Sequence, residues 1–183
     1  MNVFAKKAGF VLAISSLTLV GCDRADDAVK PDENELITTV NLRFTEQGTT
    51  TVQTFSYRDP DGDGGAAPTR FDNVRLKPNT TYRLDVEFLD ESKTPAKDIT
   101  KEVAEEDEEH LVVFTPAPAA LLTYTATDRD SRNFPVGLTG TARSGAAGTG
   151  TLRVQLRHQP GTKNGTPQPG SDDVNLSFGL TVQ

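Results

Sequence analysis

From residue 35 onward, apolar and polar residues alternate along most of the chain, the pattern of strands with one face in a core and one in water. Val40, Leu42 and Phe44 alternate with Thr39, Asn41 and Arg43. A turn at Glu46-Gln47-Gly48 and a Thr- and aromatic-rich run from Thr50 to Tyr57 complete a predicted hairpin. A third strand is expected over Phe71 to Leu76, ended by Lys77-Pro78-Asn79. Next, Tyr82, Leu84, Val86 and Phe88 take one face while Arg83, Asp85 and Glu87 take the other, as in antiparallel sheets.

Residues 94–110 break this rhythm. Thr94-Pro95 suits an N-cap followed by proline at the first helical position, and Ile99 and Val103 stand four apart among charged residues. The spacing predicts a short amphipathic helix over roughly residues 98–108, on the edge of the sheet. Leu111 to Phe114 then reads as a buried strand stopped by Pro116 and Pro118. Leu121 to Ala126 is another strand, Phe134 to Ala142 a weaker one, and Ser144 to Gly150 a flexible turn. Leu152, Val154, Leu156 and His158 alternate with polar residues, as do Val174, Leu176, Phe178, Leu180 and Val182. A long Pro/Gly loop, Gln159 to Asp172, separates these two strands. About eight to nine strands with frequent turn signals predict an all-β fold, an antiparallel β-sandwich with one helix; a closed β-barrel is the alternative.

The first 21 residues follow a different logic. Lys6 and Lys7 precede a short apolar run, Phe10 to Val20, and Gly21 stands before the only cysteine, Cys22. The run is shorter than the roughly 20 residues a spanning helix needs, and the order is that of a secretory signal. Leu19-Val20-Gly21-Cys22 resembles the bacterial lipobox. That resemblance implies diacylglyceryl transfer to the Cys22 sulfur, cleavage before it, and acylation of the new amino group. Several acyl chains on one cysteine anchor a protein stably. Residues 22–34 then form the lipidated cysteine and an acidic linker, and residues 35–183 the sandwich. Asp23, Asp26 and Asp27 after the cysteine resemble a surface-export signal of Bacteroidetes-type lipoproteins, whereas Asp23 alone resembles the inner-membrane signal of enteric bacteria. The expected address is the cell envelope, with the outer membrane, on its periplasmic or surface face, favoured over the inner one.

Charge narrows the partners. Two of the 19 basic residues fall in the signal, leaving 17 against 26 acidic ones, a net −9 for the mature chain. Such a surface is unsuited to nucleic acid, whose phosphates need a basic face. It also argues against direct docking on anionic lipid, so the expected link to the membrane is the lipid on Cys22. With Cys22 lipidated no thiol remains for a disulfide, and the domain depends on its core or on a metal ion.

Two clusters carry candidate metal chemistry. Asp59-Pro60-Asp61-Gly62-Asp63-Gly64 places carboxylates at positions 1, 3 and 5 and glycine at 6, the first half of a calcium loop. Position 12 is Arg70 and no helices flank the loop, so an EF-hand is excluded. Asp59, Asp61 and Asp63 stay as a candidate β-loop calcium site or as a plain Asp/Gly turn. The second cluster is Glu102, Glu105, Glu106, Asp107, Glu108, Glu109 and His110. It fits a solvated helix face, or a transition-metal site in which His110 is joined by His158. His158, ending an apolar face, also fits as a packed boundary residue. No G-x-S-x-G, H-E-x-x-H or P-loop occurs and no thiol is free, so a binding protein is expected rather than an enzyme; a hydrolase assembled from scattered residues is the remaining enzymatic reading.

The lipobox, Tyr57 to Gly65, Glu91 to Thr100 and Leu156 to Gly161 together resemble envelope lipoproteins of Bacteroidetes-type bacteria. Some of these carry the label type 1 periplasmic binding fold, which implies a two-lobed, doubly wound α/β protein. The strand patterning and length of this chain oppose that fold. Such lipoproteins often accompany outer-membrane uptake receptors, so the resemblance implies ligand capture beside such a receptor. The other function class is a structural or adhesive surface module with calcium-stiffened loops.

Overall fold

Val40, Leu42 and Phe44 lie opposite Phe88, Val86 and Leu84, pair for pair, and this antiparallel ladder is the centre of the first sheet. The computed structural model describes residues 35–62 and 64–183; the expected signal peptide, Cys22, acidic linker and Asp63 lie outside the described residues. In chain order the strands are β1 (Thr39–Glu46), β2 (Val52–Arg58), β3 (Arg70–Phe71), β4 (Asn73–Leu76), β5 (Thr81–Asp90), β6 (Lys97–Asp98), β7 (His110–Ala117), β8 (Leu122–Ala126), β9 (Thr139–Ser144), β10 (Gly148–His158) and β11 (Ser171–Val182). Among the described residues one helix, α1 (Ile99–Glu105), follows β6, and a single 3-10 turn (Ala119–Leu121) precedes β8.

The first sheet runs β3-β2-β1-β5-β9-β8, with β6 paired to the far end of β5; the second runs β4-β11-β10-β7. No strand ladder joins the two sheets among the described residues, so the architecture is the expected all-β sandwich and not a closed barrel. The inward faces are those the alternation marks. Val40, Leu42, Phe44, Tyr82, Leu84, Val86 and Phe88 from the first sheet are buried, as are Leu152, Val154, Leu156, Val174, Phe178, Leu180 and Val182 from the second. The buried Tyr82 ring packs edge-on against Phe44 at 5.8 Å, and its hydroxyl accepts a hydrogen bond from the Lys77 N–H at 2.9 Å, which satisfies its one polar atom.

The structure departs from the sequence reading in four places. The strand expected over Phe71 to Leu76 is split at Asp72. Arg70–Phe71 pairs with β2, whereas Asn73–Leu76 runs parallel to β11 in the other sheet. Asp72 makes the crossing by bonding Ser56 at both its N–H (2.9 Å) and its carboxylate (2.8 Å). Second, β7 continues through Pro116, which is tolerated because β7 is an edge strand needing no N–H there. Third, the helix starts at Ile99, where the spacing places it, but its N-cap is Asp98 rather than Thr94, because Lys97–Asp98 between them is engaged in pairing with β5. It stops at Glu105, where an acidic run with no basic residue in the last turn opposes the helix dipole. Its expected apolar pair, Ile99 and Val103, is buried in the core. Finally, the weak strand starts at Thr139 and runs through Ser144, and the turn after it is short, with β10 beginning at Gly148.

The two sheets close on a shared apolar core, and that burial is a main source of stability. Phe178 is fully buried, faces Leu152 across the ladder and meets Phe71 edge-on at 5.0 Å. Phe178→Ala is expected to lower stability by about 3–5 kcal/mol in urea unfolding; a loss under about 1 kcal/mol would mean the two faces are not packed as described.

Candidate metal centre

His110 is the first residue of β7 and His158 the last of β10, and the register sets them directly opposite. Both belong to inward-facing series, so their rings meet at the end of the core, stacked at 4.8 Å and 6° between planes. The third member comes from β11. Leu156 pairs with Val174 but Arg157 pairs with Asp172, which leaves Asp173 as the extra residue of a β-bulge. The bulge aims Asp173 to the same side as Val174, where an unbroken strand would turn neighbours to opposite faces. Asp172 stays on the outer face, held by Arg157 Nη1 at 2.5 Å and Gln155 Nε2 at 3.0 Å, while the Asp173 side chain is fully buried. One ligand atom from each of His110, His158 and Asp173 lies within 4.8 Å of the others.

The imidazole of His110 has a defined tautomer. Its Nδ1 lies 3.2 Å from the Glu106 carbonyl oxygen, which only accepts, so Nδ1 carries the hydrogen and Nε2 is bare. Nε2 faces Asp173 Oδ2 at 3.8 Å. Burial pushes the ring down to about 4; the Glu106 bond opposes this, and the electrostatic influence of neighbouring His158 and Lys163 reinforces it. The His110–Asp173 approach is therefore not an ion pair near neutral pH. At the rim, His158 Nε2 lies 3.7 Å from Glu109 Oε2.

The surrounding loops are fixed by a second buried polar group. Lys163 Nζ reaches Asp130 Oδ2 at 3.0 Å and the Asp107 carbonyl at 2.6 Å, with both side chains fully buried. Burial pushes the Asp130 carboxyl up, but the N–H of Phe134, the Lys163 ammonium and the N–H of Arg132 together hold it below the usual carboxylate range. Gln159 ties the same loop, donating to the carbonyls of Thr166 and Pro169. Gly170 then returns so close to the His158 carbonyl, at positive φ, that any Cβ would overlap it.

The sequence-predicted residues fare differently. His110 and His158 come together, but of the acidic run only Glu109 stands beside them; Glu106 contributes its carbonyl, and Glu102 pairs with Lys97 at 2.8 Å. In the Asp/Gly loop, Asp59 is buried and accepts from the Tyr57 hydroxyl at 3.1 Å, while the exposed Asp61 accepts from the Ala66 N–H at 3.2 Å. Asp63 lies outside the described residues, and Asp59 and Asp61 belong to no three-residue metal-capable group among the described ones. Asp173, Asp130 and Lys163 escaped the sequence reading. Only the Asp172-Asp173 pair ahead of a clean alternation hinted at a bulge. Elsewhere, an open groove of about 510 Å³ on the first sheet is lined by Thr45, Thr81, Arg83, Thr127, Thr139 and Thr141 among others.

Two outcomes follow from this geometry. Lys163→Met strands a buried carboxylate and is expected to cost about 3–5 kcal/mol in denaturant unfolding, with adding Asp130→Asn recovering part of it; equal stability of Lys163→Met and wild type contradicts the pair. For His110, the unfolded ring takes a proton near 6.5 and the folded one only near 4, so the unfolded state binds more protons in between. In chelator-treated protein the stability associated with this ring is complete above about 6.5 and falls by about 3 kcal/mol as pH drops toward 4. His110→Gln should show a shallower decline over that window, and an identical profile would contradict the assignment.

Compared with known proteins, the chain matches no family model, no curated protein and no solved structure, so its function is argued from its own residues.

Proposed function

We propose that this chain is a lipid-anchored binding module of the bacterial cell envelope. In this reading the sandwich captures a ligand or partner, beside an outer-membrane uptake receptor, and performs no catalysis. The observation that carries the proposal is the position of the only cysteine. Cys22 follows a positive and then apolar leader at the lipobox position, and 16 residues separate it from Thr39, the first residue of β1. A lipid at that point tethers a domain whose sheets need no thiol. The net negative charge argues against nucleic acid and against direct docking on anionic headgroups, so in this reading the tether is the membrane contact. The threonine-lined groove on the first sheet supports the binding part, because hydroxyls held on a rigid sheet offer fixed donors and acceptors to a polar ligand.

Cys22→Ser expressed in a bacterial host is expected to leave the fold intact and move the protein from the membrane fraction to the soluble one. Retention of the variant with the membrane would overturn the anchor.

A further inference from the structure

The junction of β7, β10 and β11 holds an arrangement that strand pairing and apolar packing do not account for. His110 is fully buried, and its Nδ1–H is committed to the Glu106 carbonyl. The bare Nε2 has no hydrogen-bond partner and is aimed at a carboxylate oxygen 3.8 Å away. A fully buried ring nitrogen left as a bare acceptor is costly without a partner. A cation between His110 Nε2 and the carboxylate supplies that partner. The bulge that carries Asp173 inward is what creates this opposition, and bulges of this kind recur where a strand must re-aim a side chain.

We propose that His110, His158 and Asp173 are the protein ligands of one divalent transition-metal ion of the zinc class. Two imidazoles and a carboxylate are a borderline donor set, suited to Zn²⁺ and its neighbours and unsuited to Ca²⁺ or Mg²⁺, which take oxygen shells. The Nδ1–H bond to the Glu106 carbonyl is the usual device for orienting a metal-bound histidine. Ligand atoms on one zinc ion stand at most about 4 Å apart, so a cluster already within 4.8 Å needs only a small closure. That closure falls to His158. Imidazole lone pairs lie in the ring plane, and rings parallel to within 6° cannot both point at one ion. His110 is locked by Glu106 and by full burial, whereas the His158 side chain is 10% exposed at the rim, so His158 is the ring that would turn out of the stack on metal binding. Glu109, 3.7 Å from His158 Nε2, stands within reach of the fourth position, which water otherwise fills. The ion would cross-link three strands in a domain that has no disulfide, so its binding adds directly to stability. This inference does not depend on the lipid anchor.

The test uses the untagged full-length chain in detergent, stripped with a chelator and titrated with ZnCl₂ by calorimetry and with CoCl₂ by visible absorption. The expected result is one equivalent per chain, a tetrahedral Co²⁺ spectrum, a raised thermal midpoint, and no displacement by excess Ca²⁺. Asp173→Asn and His158→Gln should each weaken Zn²⁺ by more than the roughly 10–100-fold typical of losing a residue that only orients a ligand. His158→Gln sits at the rim, so it decides the matter if Asp173→Asn fails to fold. Absence of saturable uptake at one equivalent, an octahedral oxygen-only Co²⁺ spectrum, or undiminished uptake in a folded variant would overturn the proposal.

Discussion

Everything in this domain depends on two apolar faces closing on each other without a covalent staple. β1 and β5 supply one face, β10 and β11 the other, and the residues between them are almost entirely excluded from water. The sheets must then be held in register by their own pairs: Val40 with Phe88 and Leu42 with Val86 in one, Leu152 with Phe178 and Leu156 with Val174 in the other. The crossings between sheets are short, so each hairpin end is a place where backbone polar groups need other partners. Asp72 meets that need at the β3–β4 crossing, and Ser144 does so at another, receiving the Thr80 N–H and donating to the Lys77 carbonyl.

At the opposite end the solution is polar and buried. The loops around residues 107, 130 and 163 would leave carbonyls and carboxylates away from water, and Lys163 meets both Asp107 and Asp130. This is a costly way to hold loops, since buried charges lose their hydration. It pins the acidic segment after α1, and therefore the Glu106 carbonyl, against β7. His110 owes its tautomer to that placement. The geometry of the histidine pair is thus built outward from the β7–β10 register and inward from the loops.

Much of this was legible in the residue pattern. The alternation in β1, β5, β10 and β11 marked the core faces, because side chains on a strand have no freedom to choose another period. The edges were harder. Pro116 looked like a terminator, yet an edge strand has one side without ladder bonds and accepts it. Phe71 to Leu76 looked continuous, because the switch of sheets at Asp72 changes hydrogen-bond partners and leaves hydropathy unmarked. In the candidate centre, His110 and His158 were visible as the two histidines of the chain. Asp173 was not, since a bulge is a property of paired strands and appears only when the register against β10 is known. The acidic run drew attention by its charge, but most of it faces water and contributes a carbonyl where a carboxylate was expected.

The central claim is that the bulge at Asp173 and the β7–β10 register together make a cation site from two imidazoles and one carboxylate. The most direct measurement is a zinc-edge X-ray absorption spectrum of the metal-loaded chain. The account predicts a four-coordinate first shell of nitrogen and oxygen at about 2.0–2.1 Å, no sulfur, and the outer-sphere scattering of two imidazoles. A shell of oxygen alone, with no imidazole signature, would contradict it.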